Sequence, residues 1–234
     1  LKKQPFLLME SVNSAVNWHP RCTLKRPGMH ELSSLQAVSH GSNSVQYFQW
    51  RKSRGGSEKF HGAVVDHRNG ENTRVFREVA HLGQRLEALS DKVMQTCNRP
   101  RAAIVFDWEN RWAAEDARDF YAGFPALTRH SFGRGTAYFA AAECGGEFLG
   151  DLVKLVTEES GNTCALCSAL PRGVTVTERK GGEGSLFFLQ NFNPEPAAVI
   201  LGKACLDAET GDSVTGPITL APYECRILEN GKEG

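Results

Sequence analysis

Twice within the first 97 residues an apolar run gives way to a polar loop and then to a helical pattern, and this alternation constrains the fold most. Residues 6–9, "FLLM", read as a short, fully buried strand ending on the carboxylate of Glu10. A loop rich in Asn, Ser, Pro and Gly follows. Pro27 suits a helix start, and Met29, Leu32, Leu35 and Val38 then lie along one face as far as Gly41. Residues 44–50, "SVQYFQW", have strong β propensity and lead into a glycine-bearing loop. From Thr73 to about Val93 the spacing of Val75, Val79, Leu82, Leu86 and Leu89 predicts an amphipathic helix. Strand, loop, helix, repeated in that order, is the grammar of parallel βα units.

The pattern breaks at "CNRPR", residues 97–101. Beyond it, residues 102–106, "AAIVF", read as a buried strand, 126–132 and 136–142 as a hairpin turning at Gly133-Arg134-Gly135, and 147–159 as a helix. One strand and a hairpin make a thin α/β domain with little core of its own, as if a segment were missing between Arg118 and Asp119. From Pro171 onward short strands separated by Gly, Asn and Pro predict a small antiparallel β module. The expected organisation is three domains, 1–97, 98–169 and 170–234.

Charge narrows the function classes. Lys and Arg total 27, as do Asp and Glu, so no basic field draws in nucleic acid or an anionic membrane. No apolar run approaches the roughly 20 residues that span a bilayer. The first residues carry two lysines and a very short apolar stretch with no cleavage site after it, which argues against a signal peptide. The chain begins at Leu rather than Met, so its start need not be that of its gene. Seven scattered cysteines do not form a disulfide framework and suggest a reducing, cytoplasmic compartment. Cys164 and Cys167 have CxxC spacing but no second pair, and read as packing cysteines. The Gly133-Arg134-Gly135 turn lacks the Lys-Ser/Thr ending of a phosphate loop, and the histidines at 30, 40, 67, 81 and 130 show no metal-ligand spacing.

An unpaired buried carboxylate is costly, so Glu10 stands either at the protein's edge or where a function holds it. In parallel βα barrels functional groups gather at the carboxyl ends of strands. Trp18 lies in the loop leaving the same strand, and Glu58-Lys59-Phe60-His61 in the loop leaving the next. An indole with carboxylates and an imidazole suits a sugar, whose C–H face packs on the ring while its hydroxyls are hydrogen-bonded. Each residue also has a plainer reading: Glu10 as a strand-end charge in water, Trp18 as core, Glu58 and His61 as an ordinary polar loop pair.

"PFLLMES…SAVNWH" and the stretch from "KRPGMHEL" to "FHGAVVDH" closely resemble glycoside hydrolase family 42, the β-galactosidases. "AAIVFDWENRW" and "DFYAGFPALTRHSFGRGTAYFAA" resemble that family's trimerisation domain, and "PRGVTVTER…FFLQNFNPEP" its C-terminal β domain. The resemblance implies an α/β protein: the last two strand–helix units of a (β/α)8 TIM barrel, a truncated α/β trimerisation domain and a small antiparallel β domain. It implies retaining hydrolysis of terminal β-D-galactosyl residues, with Glu10 as nucleophile and Trp18, Glu58, Lys59, Phe60 and His61 as the sugar-binding group. A homotrimer is implied for the full-length enzyme. On the same grounds Trp108 and Trp112, beside Glu109, serve packing or a subunit contact.

Two departures qualify that picture. The family's acid/base is the Glu of a strand-ending Asn-Glu pair, and none precedes Glu10; Glu109-Asn110 has the reverse order. The cysteine cluster that holds zinc in some members belongs to the same absent region, so neither metal nor other cofactor is expected. The chain is either a portion of a longer protein or the product of a gene that lost two blocks. The expectation is a β-galactosidase chain that is inactive alone; the alternative is a non-catalytic remnant that oligomerises or binds galactosides weakly.

Overall fold

The computed structural model describes residues 4–105, 127–140, 145–162 and 164–231, apart from 165, 168 and 183. The chain divides into two compact units, residues 1–99 with 164–234, and residues 100–163.

The larger unit begins with strand β1, Phe6–Val12, followed by helix α1, Met29–Ser39, and strand β2, Ser42–Phe48, parallel to β1. Gly28 precedes α1 at φ 83°, where a side chain is strained, and a Cβ there would stand 3.2 Å from that of Tyr223. Helix α2, Arg74–Met94, is capped by Thr73, whose Oγ1 accepts from Phe76 N at 3.1 Å. Of the predicted helical stripes, Leu32, Leu35 and Val38 on α1 and Leu82 and Leu89 on α2 are buried, while Met29, Val75, Val79 and Leu86 are half-buried.

Strand β3, Thr96–Cys97, leads away from α2. The rest of the unit is β6, Val174–Gly181; β7, Gly184–Asn191; β8, Ala197–Asp207; β9, Ser213–Leu220; and β10, Cys225–Gly231. These six form a sheet of order β3-β6-β7-β10-β8-β9 with every neighbour antiparallel. Both faces of this sheet are covered. Leu186, Phe188, Cys225 and Ile227 pack on the apolar faces of α1 and α2, while Phe187, Leu189, Leu220 and Leu228 form a second core with Leu166 and Cys167. Alternation along β7 therefore feeds two cores, which is why Leu186, Phe187, Phe188 and Leu189 run in an unbroken apolar stretch. The segments expected as separate first and third domains share one core, because the helix stripes and the sheet face each need the other to leave water.

Buried Arg179 on β6 ties that core to both helix ends. Its Nη1 donates to Val38 O at 2.6 Å, its Nη2 to Val93 O and Thr96 O at 3.0 and 2.8 Å, and its Nε to Thr96 Oγ1 at 3.1 Å. One guanidinium thus adds donors to last-turn carbonyls of α1 and α2, which also accept from Gly41 N and Thr96 Oγ1, and places a cation at both negative helix ends. Arg85 on α2 bridges Glu31 on α1, at 2.5 Å, to Glu209 in the β8–β9 connection.

In the smaller unit, β4, Leu127–Phe132, and β5, Gly135–Ala140, form an antiparallel hairpin through Gly133 at φ 57°, and α3 spans Gly146–Glu159. Arg129 and Tyr138 on the hairpin both hydrogen-bond Glu159 on α3. None of its described residues is buried.

Two expectations fail here. β1 is not buried and does not stop at Glu10: it runs on to Val12, and Phe6, Leu7 and Met9 are 45%, 55% and 67% exposed. Its only described strand neighbour is β2, so no described residue pairs with its other edge. Residues 102–105 form no strand, and Ile104 and Val105 are 91% exposed, because an apolar run without a pairing partner gains nothing from extending. The expected seam at Arg118–Asp119, and Trp108, Glu109, Asn110 and Trp112, lie outside the described residues.

Candidate functional site

Side-chain direction at Glu10 is set by a register irregularity. Tyr47 on β2 faces α1: its hydroxyl meets Ser34 Oγ at 2.9 Å and its ring lies 4.7 Å from that of His30. Partners across a ladder share a face, so Ser11, opposite Tyr47, and Leu8, opposite Val45, point the same way. Between them Met9 and Glu10 together oppose Gln46 alone, which is a β-bulge. Both bulged side chains lie on the face away from α1, and Gln46 Nε2 reaches Met9 Sδ at 3.7 Å. Phe48, opposite Val12, is on that same face.

The loops leaving β1 and β2 are knitted together above this face. Buried Asn13 donates from Nδ2 to Phe48 O and Gln49 O at 3.4 and 3.2 Å, and its Oδ1 accepts from Ser14 Oγ at 3.0 Å. Gly62 N donates to Ala15 O at 2.9 Å. A Cβ on Gly62 would collide with Ser14 Oγ and come within 2.8 Å of the Ala15 backbone, so no larger residue fits. Asn17 Nδ2 donates to Ser57 O, and Asn17 Oδ1 stands 3.2 Å from His61 Nδ1. Glu58 Oε2 is 3.3 Å from the same nitrogen. His61 is only 4% exposed and sits edge-on to Phe48, with ring centroids 5.1 Å apart. Its Nε2 is buried and has no hydrogen-bond partner among the described residues.

The predicted residues are therefore joined only in part. Glu58 and His61 meet directly, and Lys59 Nζ lies 4.8 Å over the ring of Phe60, which is 73% exposed. Glu10 shares a strand-pair face with Phe48, the support of His61, but its carboxylate makes no hydrogen bond or ion pair among the described residues. Trp18 is 69% exposed and its ring lies 4.1 Å from that of His19, so it is not core. A cleft of about 200 Å³ beside these loops is lined by Ser14, Lys52, Phe60, Gly62 and Asp66, while Glu10, Trp18 and His61 are not among its walls. Sequence reasoning missed Asn13, Ser14 and Asn17; the signal was the "VNSAVN" run, polar side chains following a strand end. Among the described residues no three His, Cys, Asp or Glu side chains are grouped to hold a metal, and no helix is long and apolar enough to cross a membrane.

A carboxylate on one face of a parallel strand pair, with a held imidazole and an exposed indole in the adjoining loops, offers the kinds of group that can bind a sugar. The particular family follows from sequence and structure comparison. Residues 1–89 match the family described as β-galactosidase, and residues 173–230 the β-galactosidase C-terminal domain, so the chain carries glycoside hydrolase family 42 domains toward both ends. It is 63% identical over 120 residues to β-galactosidase GalA of Bacillus licheniformis, which is 51% of this chain and 18% of that protein. Over 118 residues it is 61% identical to β-galactosidase Pbg of Clostridium perfringens, 50% of this chain and 17% of that protein. Among solved structures, a catalytic mutant of a GH42 β-galactosidase from G. stearothermophilus superposes with a TM-score of 0.85 at 28% identity, covering 99% of this chain and 55% of the other. The matches thus cover less than a fifth of these curated relatives and about half of that structure.

Proposed function

We propose that the chain supplies the nucleophile half of a retaining β-galactosidase that removes terminal β-D-galactosyl residues. On this reading β1–α1 and β2–α2 are the last two strand–helix units of a (β/α)8 barrel, and the face away from α1 is the barrel interior. Glu10 attacks the anomeric carbon, the glycosidic bond breaks, and a galactosyl ester forms. Water then cleaves that ester, returning the carboxylate. Trp18 offers a ring face to the sugar, and Glu58, Lys59, Phe60 and His61 grip its hydroxyls. The observation carrying this reading is the bulge at Met9–Glu10, which turns the carboxylate toward the face where Phe48 supports His61.

Retaining chemistry needs a second carboxyl about 5–5.5 Å from the nucleophile to protonate the leaving oxygen and then activate water. None of the residues proposed here takes that part, so the 234 residues alone are inactive. The complete enzyme is a cytoplasmic homotrimer acting on a β-galactoside. The test is to express the chain and assay a chromogenic β-galactoside. No turnover is expected, and turnover abolished by Glu10→Gln would refute the claim of inactivity.

A further inference from the structure

We infer that Asn17 is a positioning residue that fixes the tautomer of His61, so that His61 meets its ligand as a hydrogen-bond acceptor. The chain of reasoning starts at Ser57. A carbonyl oxygen only accepts, so the Asn17 amide must turn its Nδ2 toward Ser57 O and its Oδ1 toward His61. With an oxygen of Asn17 at 3.2 Å and a carboxylate oxygen of Glu58 at 3.3 Å, His61 Nδ1 faces two acceptors. Only a protonated Nδ1 can donate to Asn17 and keep a hydrogen toward the carboxylate. In the neutral ring the other nitrogen, Nε2, is then bare.

That bare nitrogen is buried, as is Glu58 Oε2, and neither has a hydrogen-bond partner among the described residues. Glu58 Oε2 is close to Nδ1 but not aligned with its N–H, so Asn17 provides the one hydrogen bond that sets the ring's proton. The edge-on contact with Phe48 fixes the ring plane. A desolvated acceptor binds a hydroxyl more strongly than one already solvated, and a mismatched donor at this place would leave two buried groups unpaired. Resting on the galactosyl-binding reading, the inference specifies that a sugar hydroxyl donates to His61 Nε2.

Long-range ¹H–¹⁵N spectra of the imidazoles in the whole chain test this, with the His61 signal assigned by its loss in His61→Gln. The expected wild-type spectrum has a protonated Nδ1 and a bare Nε2. Asn17→Ala is expected to bring in the Nε2–H form, and Asn17→Asp, which keeps an oxygen toward Nδ1, to restore the wild-type pattern. A wild-type ring protonated at Nε2, or an Asn17→Ala spectrum identical to wild type, overturns the inference. Titration with galactose addresses the underlying reading separately. A shift confined to the His61 Nε2 signal supports donation by a hydroxyl, whereas an Nδ1–H ring untouched by galactose overturns galactosyl binding and leaves the tautomer assignment standing.

Discussion

Leu8 and Ser11 face the same side of the β1–β2 pair although two residues, Met9 and Glu10, stand between them. Strict alternation forbids this, and the bulge that permits it carries Glu10. A side chain with no partner among the described residues contributes little to their stability. Glu10→Gln should therefore leave the urea midpoint of the chain within about 0.5 kcal/mol of wild type. In an enzyme completed by the remaining barrel, the same substitution should lower kcat by about 10³-fold or more, read in a chromogenic assay. A strongly destabilised variant would mean that the carboxylate is structural.

Arg179 makes the opposite case. Arg179→Met keeps an unbranched apolar stem but removes the charged donor from the carbonyls of Val38, Val93 and Thr96, leaving Val38 O to Gly41 N and Val93 O to Thr96 Oγ1. Hydrogen bonds from a charged donor are worth about 1.5–3 kcal/mol each, so urea unfolding should report a loss of about 3 kcal/mol or more. Arg179→Lys reaches fewer of them and should fall between. A loss below about 1 kcal/mol would show that the clamp is dispensable.

Stability should weaken in mild acid because of His30. Its ring is fully buried against Tyr47, neither nitrogen has a partner among the described residues, and burial, with Lys25 and Arg74 nearby, lowers its pKa to about 4. Above about pH 6.5 neither state is protonated at this residue and it adds no pH dependence. Between about 6.5 and 4 the unfolded chain takes up a proton that the folded one refuses, so stability falls as pH falls. At about 1.4 kcal/mol per unit of pKa, the loss across that window is on the order of 3 kcal/mol. His30→Phe should flatten the slope between pH 6.5 and 4.5 in urea titrations. An unchanged slope would assign the effect to other groups.

The open strand should make the isolated chain associate. Leu7 and Met9 are 55% and 67% exposed on β1, whose only described strand neighbour is β2. Such an edge is a template for pairing. Leu7→Lys with Met9→Lys should shift light scattering toward the monomer, since charge on an edge opposes strand addition. Equal scattering from both chains would place the association elsewhere.

Local periodicity was enough to read both helices of the larger unit, because their apolar stripes are buried where the spacing put them, and enough to read its antiparallel strands. Motif content pointed to Glu10, Glu58 and His61 together; Glu58 and His61 meet, while the Glu10 carboxylate makes no hydrogen bond or ion pair with either. Burial was not legible where it depended on neighbours: "FLLM" and "AAIV" look like core by composition, yet both stretches are largely exposed because none of the described residues covers them. The aim of the Glu10 side chain depends on pairing register, and register is a property of two strands together. The pairing of Asn17 with His61 joins residues 44 apart. Sequence determines such elements because their hydrogen bonds and stripes are local, whereas a bulge, a shared core and a tautomer are decided only when distant segments meet.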